Sequence, residues 1–156
     1  MTLMSEFLAT VAASDICRSY YALCHEHPLR PEMAKENAAA KQVLDAAAGL
    51  VPLEKLRGPG SAYRLLSLPN GISLNFIIQG RSAIETDFTV PFSGTCQRGT
   101  FAILCNAAST INGGPAPRPP YPRPTFHSLD ELIAIFRQFD GLVRRLGNVR
   151  AGELGL

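Results

Sequence analysis

No apolar run in this sequence approaches the about 20 residues needed to cross a bilayer, so a transmembrane helix is excluded and no membrane partner is expected. Charge is also scarce. Only 18% of the 156 residues are Asp, Glu, Lys or Arg, and 15 basic groups stand against 13 acidic ones. No segment concentrates the small excess. Residues 1–60 hold six basic and seven acidic groups, residues 61–110 three and two, and residues 111–156 six and four. Nucleic-acid binding by phosphate neutralisation needs a basic face, so no nucleic-acid partner is expected. Disorder is excluded by the opposite deficit, because a near-neutral chain that is 46% hydrophobic can bury a core. Four cysteines in a chain of this length are too few for a disulfide framework and read as reduced thiols. The N-terminus has no basic segment, and Glu6 interrupts its apolar stretch. A secretory signal is therefore not expected, and a cytoplasmic location is. Lysine is nearly missing, with three residues against twelve arginines, a skew that reads as the codon usage of a GC-rich, bacterial genome.

Catalytic signatures are missing as well. Gly-x-Ser-x-Gly, His-Glu-x-x-His, the phosphate-binding GxxxxGK[ST] and GxGxxG are all absent. Gly58-Pro59-Gly60 and Gly113-Gly114 lack that context and read as plain loops.

What is present suggests one domain spanning residues 1–156 in successive zones: helical over 3–50, strand-rich over 62–107, a Pro-rich connector over 109–125 and a last helix over 128–147. Leu3, Met4, Phe7, Leu8 and Val11 form one helical stripe, and Ile16, Tyr20, Leu23 and His27 another. Ser14 can cap a new helix between them. Pro31 suits a first helical position, and residues 31–50 read as a second helical segment burying Met33, Ala40, Val43, Leu44, Ala47 and Leu50. The period then changes to two. Strands are expected over 62–68, 72–78, 83–96 and 101–106, with turns at Pro69-Asn70-Gly71, Gln79-Gly80-Arg81 and Gln97–Thr100. With Arg98-Gly99 as the last hairpin loop, Cys96 would face Phe101, and Ile103 and Cys105 would point inward with Phe88, Val90 and Phe92. Ser128-Leu129-Asp130-Glu131 opens the last helix as a capping box, and Gly147 closes it. The expected fold class is α+β in the order α-α-β-β-β-β-α, a four-stranded antiparallel meander with helices packed on one face.

Candidate chemistry is dispersed. Cys24 and His27 lie three apart on a helix and could share a metal, with Cys17 and His127 as further ligands, but the second close pair of a structural zinc site is missing. Small core cysteines are the competing reading, and no metal or other cofactor is expected. Cys105 with His127 is another thiol–imidazole pairing, with Asn106 or Asp87 to orient the ring. Against it, Cys105 is expected mid-strand and inward. Cys96 and Cys105 are too far offset to bridge. Glu85 and Asp87 share one strand face, where carboxylates usually serve to solvate a sheet. The arm between Ser109 and Thr125 carries two PxxP patterns and Arg118, Tyr121 and Arg123, which suit either a partner groove or a stiff connector. The leading functional expectation is a small non-enzymatic module that binds another protein, of inhibitor, immunity-protein or chaperone-like adaptor type, through Asp87, Thr89, Arg98, Arg118, Tyr121 and Arg123. A homodimer is also allowed. The alternative is a small hydrolase or metal-binding enzyme using Cys24, His27, Cys105 and His127.

Overall fold

A computed structural model describes residues 3–31, 38–80, 82–111, 113–115 and 117–150. The fold is α+β. Five helices accompany one antiparallel sheet whose five strands are ordered β1-β2-β3-β4-β5 as in the sequence. The elements are α1 (Ser5–Ala13), α2 (Ile16–Glu26), α3 (Ala40–Ala47), β1 (Leu53–Lys55), β2 (Ser61–Leu65), β3 (Ser73–Gln79), β4 (Ala83–Phe92), β5 (Thr95–Gly99), α4 (Phe101–Ile111) and α5 (Leu129–Gly147). None of the described helices is long and apolar enough to cross a membrane.

The expected break at Ser14 is present. Its hydroxyl accepts the Ile16 amide at 3.2 Å and separates α1 from α2. The following helix is shorter than expected. Only Ala40–Ala47 is α3, Leu50 is 55% exposed rather than buried, and Met33 lies outside the described residues. The turn at Pro69-Asn70-Gly71 forms, with the Ile72 amide donating to the Pro69 carbonyl at 3.1 Å and Gly71 at φ 84°.

The strand count corrects from four to five, and the second half of the sheet is rearranged. β1 pairs with β2 through Leu53↔Leu65 and Lys55↔Tyr63, although no strand was expected there. The expected strand 83–96 splits at Ser93-Gly94, whose φ values of 50° and 77° match the both-positive pattern of a tight hairpin turn. Cys96 therefore faces Pro91, and Gly99 faces Phe88. The expected strand 101–106 is helix α4, which takes Ser109–Ile111 with it. Phe101, Ala102, Leu104, Cys105 and Ala108 are its buried residues, a helical rather than a two-residue period, and Ile103 is 53% exposed. Thr100 caps this helix, its hydroxyl accepting the Ile103 amide at 3.1 Å. All four cysteines are free.

The sheet is two-sided. Along β4, Ile84, Thr86, Phe88, Val90 and Phe92 are buried, and the residues between them are more exposed. The buried side meets α5, whose Phe136 stacks on Phe76 with centroids 4.1 Å apart and whose Phe139 reaches Phe101 at 5.6 Å. Tyr20 of α2 stacks on Phe101 at 5.7 Å, carrying the aromatic core to the second helix layer. Burying each such ring contributes about 1.5–3 kcal/mol. Gly147 is not the closing cap expected of it: Asn148 holds that position, and Gly147 is the last residue inside α5. It is a helical residue pressed on Ile72, where an added Cβ would lie 2.2 Å from the Ile72 Cδ1.

The Pro-rich arm is more than a connector. β5 pairs only with Phe88–Phe92 of β4, leaving the first half of that edge open. The arm fills it. The Ile84 amide donates to the Pro124 carbonyl at 3.0 Å and the Phe126 amide to the Ser82 carbonyl at 3.0 Å, with Ala83 bridged antiparallel to Thr125. An unpaired strand edge is a template for unwanted pairing, and the arm removes it from here.

Candidate functional site: the cleft between helix α2 and the Pro-rich arm

The arm is tied to α2 at several points. The Tyr20 hydroxyl donates to the Pro122 carbonyl at 2.5 Å, and the Cys24 thiol shares that acceptor at 3.6 Å. One turn on, the Thr125 amide donates to the His27 carbonyl at 2.8 Å. Arg123 donates to the Gln79 side chain and lies 3.8 Å from the Glu85 carboxylate. Burial raises the pKa of Glu85, and the Thr86 amide and the Arg123 charge oppose this only in part. Between these ties a cleft of about 480 Å³ opens to solvent. Tyr21, Cys24 and His25 of α2 and the following Pro28-Leu29 form one wall. Pro117, Arg118, Pro119, Pro122, Arg123 and Thr125 form the other.

Its chemistry is uneven. Among the described residues no carboxylate lines it, whereas two arginines and a histidine do. Among the described residues Arg118 makes no hydrogen bond or ion pair, while Arg123 is engaged with Gln79 and Glu85. Leu29 is 58% exposed on the opposite wall. Prolines supply rigid apolar surface without amide donors.

Next to the cleft wall at Pro28, His27 meets His127 and Glu131, which follow it by about a hundred residues. Glu131, in the first turn of α5, accepts from the His27 Nδ1 at 2.7 Å through one carboxylate oxygen. Through the other it accepts from the His127 amide at 2.7 Å and the His127 Nδ1 at 3.2 Å. The His127 Nε2 in turn accepts the Arg30 amide at 3.1 Å. The sequence foresaw half of this. Ser128 caps α5 as expected, accepting the Glu131 amide at 3.1 Å, but the Glu131 carboxylate turns to His127 and His27 instead of the cap. Burial alone would raise the pKa of Glu131. The hydrogen bonds from His27 and from the His127 amide and ring outweigh it and hold the carboxyl below the usual range.

The other expected site residues are placed as follows. Cys24 and His27 turn to different partners, the Pro122 carbonyl and Glu131, and no group of three potential ligands forms among the described residues. Burial pushes the Cys24 thiol up to about 12, away from the thiolate that nucleophilic chemistry needs. Cys105 is fully buried on α4, not on a strand. Burial also raises its pKa, and its thiol partner is Cys17 rather than a histidine. The His127 ring meets Glu131 and Arg30, and neither contact is a thiol. Asp87, Thr89 and Arg98 lie together on the open sheet face. Thr89 is register partner to Arg98, and Arg98 holds Asp87 in a two-pronged pair at 3.1 and 3.2 Å. Arg118 and Arg123 line the cleft, whereas Tyr121, 48% exposed on the arm, does not. Five of the six residues singled out for binding thus divide between two surfaces, and Tyr121 lies on neither. Sequence reasoning missed Glu131 as a partner of both histidines, and missed Leu29 and Pro28 as cleft wall.

No family model matches this chain, and neither the curated proteins nor the solved structures yield a significant match.

Proposed function

We propose that this chain is a non-enzymatic protein-binding module of inhibitor or adaptor type, which holds an acidic, partly apolar segment of its partner in the cleft between α2 and the arm. The observation that carries this reading is the cleft's one-sided chemistry. Among the described residues, Arg118 and His25 face an opening with no carboxylate in its walls, beside the exposed Leu29 and a run of prolines. A site with an unanswered arginine and an apolar wall is complementary to carboxylates flanked by apolar side chains. Cys24 lines the cleft, but its thiol is turned to the Pro122 carbonyl, and the Nδ1 atoms of His27 and His127 are tied to Glu131.

The test uses a random copolymer of glutamate and tyrosine as an acidic, apolar probe, followed by fluorescence anisotropy. The chain is expected to bind it, with affinity falling as salt rises, and not to bind the matching lysine–tyrosine copolymer. Arg118→Glu is expected to weaken binding at least about tenfold without changing stability. Equal binding of both copolymers, no binding of the acidic one, or no effect of Arg118→Glu overturns the reading.

A further inference from the structure

We propose that His127 is a proton-operated latch on the lip of the cleft. This rests on the reading of the cleft as a docking surface and concerns its regulation. His127 is 3% exposed, and both ring nitrogens are committed. Nδ1 faces the Glu131 carboxylate at 3.2 Å, and Nε2 accepts the Arg30 amide at 3.1 Å. A ring nitrogen accepts a hydrogen bond only when it is bare, so the fold selects the neutral form of His127 with its proton on Nδ1. A proton added at Nε2 turns that acceptor into a donor facing the Arg30 N–H. Two donors cannot share the contact, and the Arg30 amide must leave.

Arg30 directly follows Pro28-Leu29, which form part of the cleft wall. Its amide is therefore the point where the charge of a buried ring is converted into movement of the docking surface. Among the described residues, the titratable groups that meet His127 are Glu131 from α5 and, through that carboxylate's other oxygen, His27 from the end of α2. Segment 28–31 contributes the Arg30 amide. The Glu131 charge compensates an imidazolium at this buried position. His27 responds differently. Its Nδ1 is tied to Glu131, and among the described residues its Nε2 has no hydrogen-bond partner. Protonating His27 therefore breaks nothing and strengthens the tie to Glu131, while protonating His127 releases the lip. The two rings share one carboxylate, each on its own oxygen.

The test is ring ¹⁵N NMR of the full chain together with amide hydrogen exchange, followed from pH 8 to pH 5, the range in which histidines commonly change charge. At the upper end His127 is expected to show a protonated Nδ1 and a bare Nε2, with the Arg30 amide protected. On acidification Nε2 gains its proton, and the Arg30 protection factor falls at least about tenfold at the same midpoint while that of Phe76 in β3 stays constant. In His127→Gln the side-chain carbonyl replaces the bare nitrogen, so protection of Arg30 is expected to persist and to lose its pH dependence. Three results overturn the latch: constant Arg30 protection while His127 titrates, a bare Nε2 down to pH 5, or loss of Phe76 protection together with that of Arg30. None of these readings involves a partner. A failed latch therefore leaves the docking surface standing, and failed copolymer binding with an intact latch refutes the docking surface alone.

Discussion

Helix α5 is held differently at its two ends. From Phe136 onward it lies on the sheet by apolar contact, with Phe136 stacked on Phe76, Phe139 on three aromatic neighbours and Gly147 against Ile72. Its first turn is held by directional polar ties, three N–H groups converging on the Glu131 carboxylate and Ser128 capping the helix. Apolar contact is insensitive to pH and salt and spreads its effect over many neighbours. A shared carboxylate is local, depends on the protonation of each partner, and can let go one bond at a time. The difference sets apolar packing at one end of the helix against a cluster of directional hydrogen bonds at the other, next to the cleft wall at Pro28-Leu29.

Mutations can break or sharpen this contrast. Phe136→Ala empties the centre of the aromatic stack and is expected to cost about 3–5 kcal/mol, equally at neutral and at mildly acidic pH, in denaturant unfolding. Glu131→Ala removes the acceptor for both imidazoles and is expected to cost about 2–3 kcal/mol at neutral pH. Its effect must depend on pH. The folded-state pKa of Glu131 is lowered, so its stabilisation is present above the ordinary unfolded glutamate value of about 4.3 and is lost as pH falls through the folded value. The gap between wild type and Glu131→Ala should therefore close in acid, whereas the gap to Phe136→Ala should not. Gly147→Ala is expected to cost about 1–2 kcal/mol, because the new methyl meets the tip of Ile72 and that side chain must shift. Ile72→Val deletes the closest atom, so the same change should be milder in that background. The smallest effect has the opposite sign. The Tyr63 hydroxyl is buried without a partner among the described residues, and Tyr63→Phe is expected to raise stability by about 0.5–1 kcal/mol.

What the sequence disclosed followed the same division. The apolar period of α5, its Ser128 cap and the α1–α2 break at Ser14 are local signals, and they were legible. The stretch from Phe101 was misread because Phe101, Ile103 and Cys105 alternate as a strand would. Thr100 before it and Ala102, Leu104 and Ala108 within it carried the helical signal. The last hairpin had two competing turns, Ser93-Gly94 and Arg98-Gly99, and only the positive φ at both positions of the first decides between them. The meeting of His27, Glu131 and His127 could not be read locally, because about a hundred residues separate the two histidines. The arm's place on the β4 edge was hidden for the same reason, since the prolines told of extension and not of where the extended chain lies.

The central claim is that partners dock in the cleft and not on the open sheet face. A photo-crosslinking residue, p-benzoylphenylalanine, placed at Leu29 in one sample and at Thr89 in another, tests it with the glutamate–tyrosine copolymer. The account predicts crosslinks from position 29, abolished by Arg118→Glu, and none from position 89. Crosslinks from position 89 with none from position 29 would contradict it.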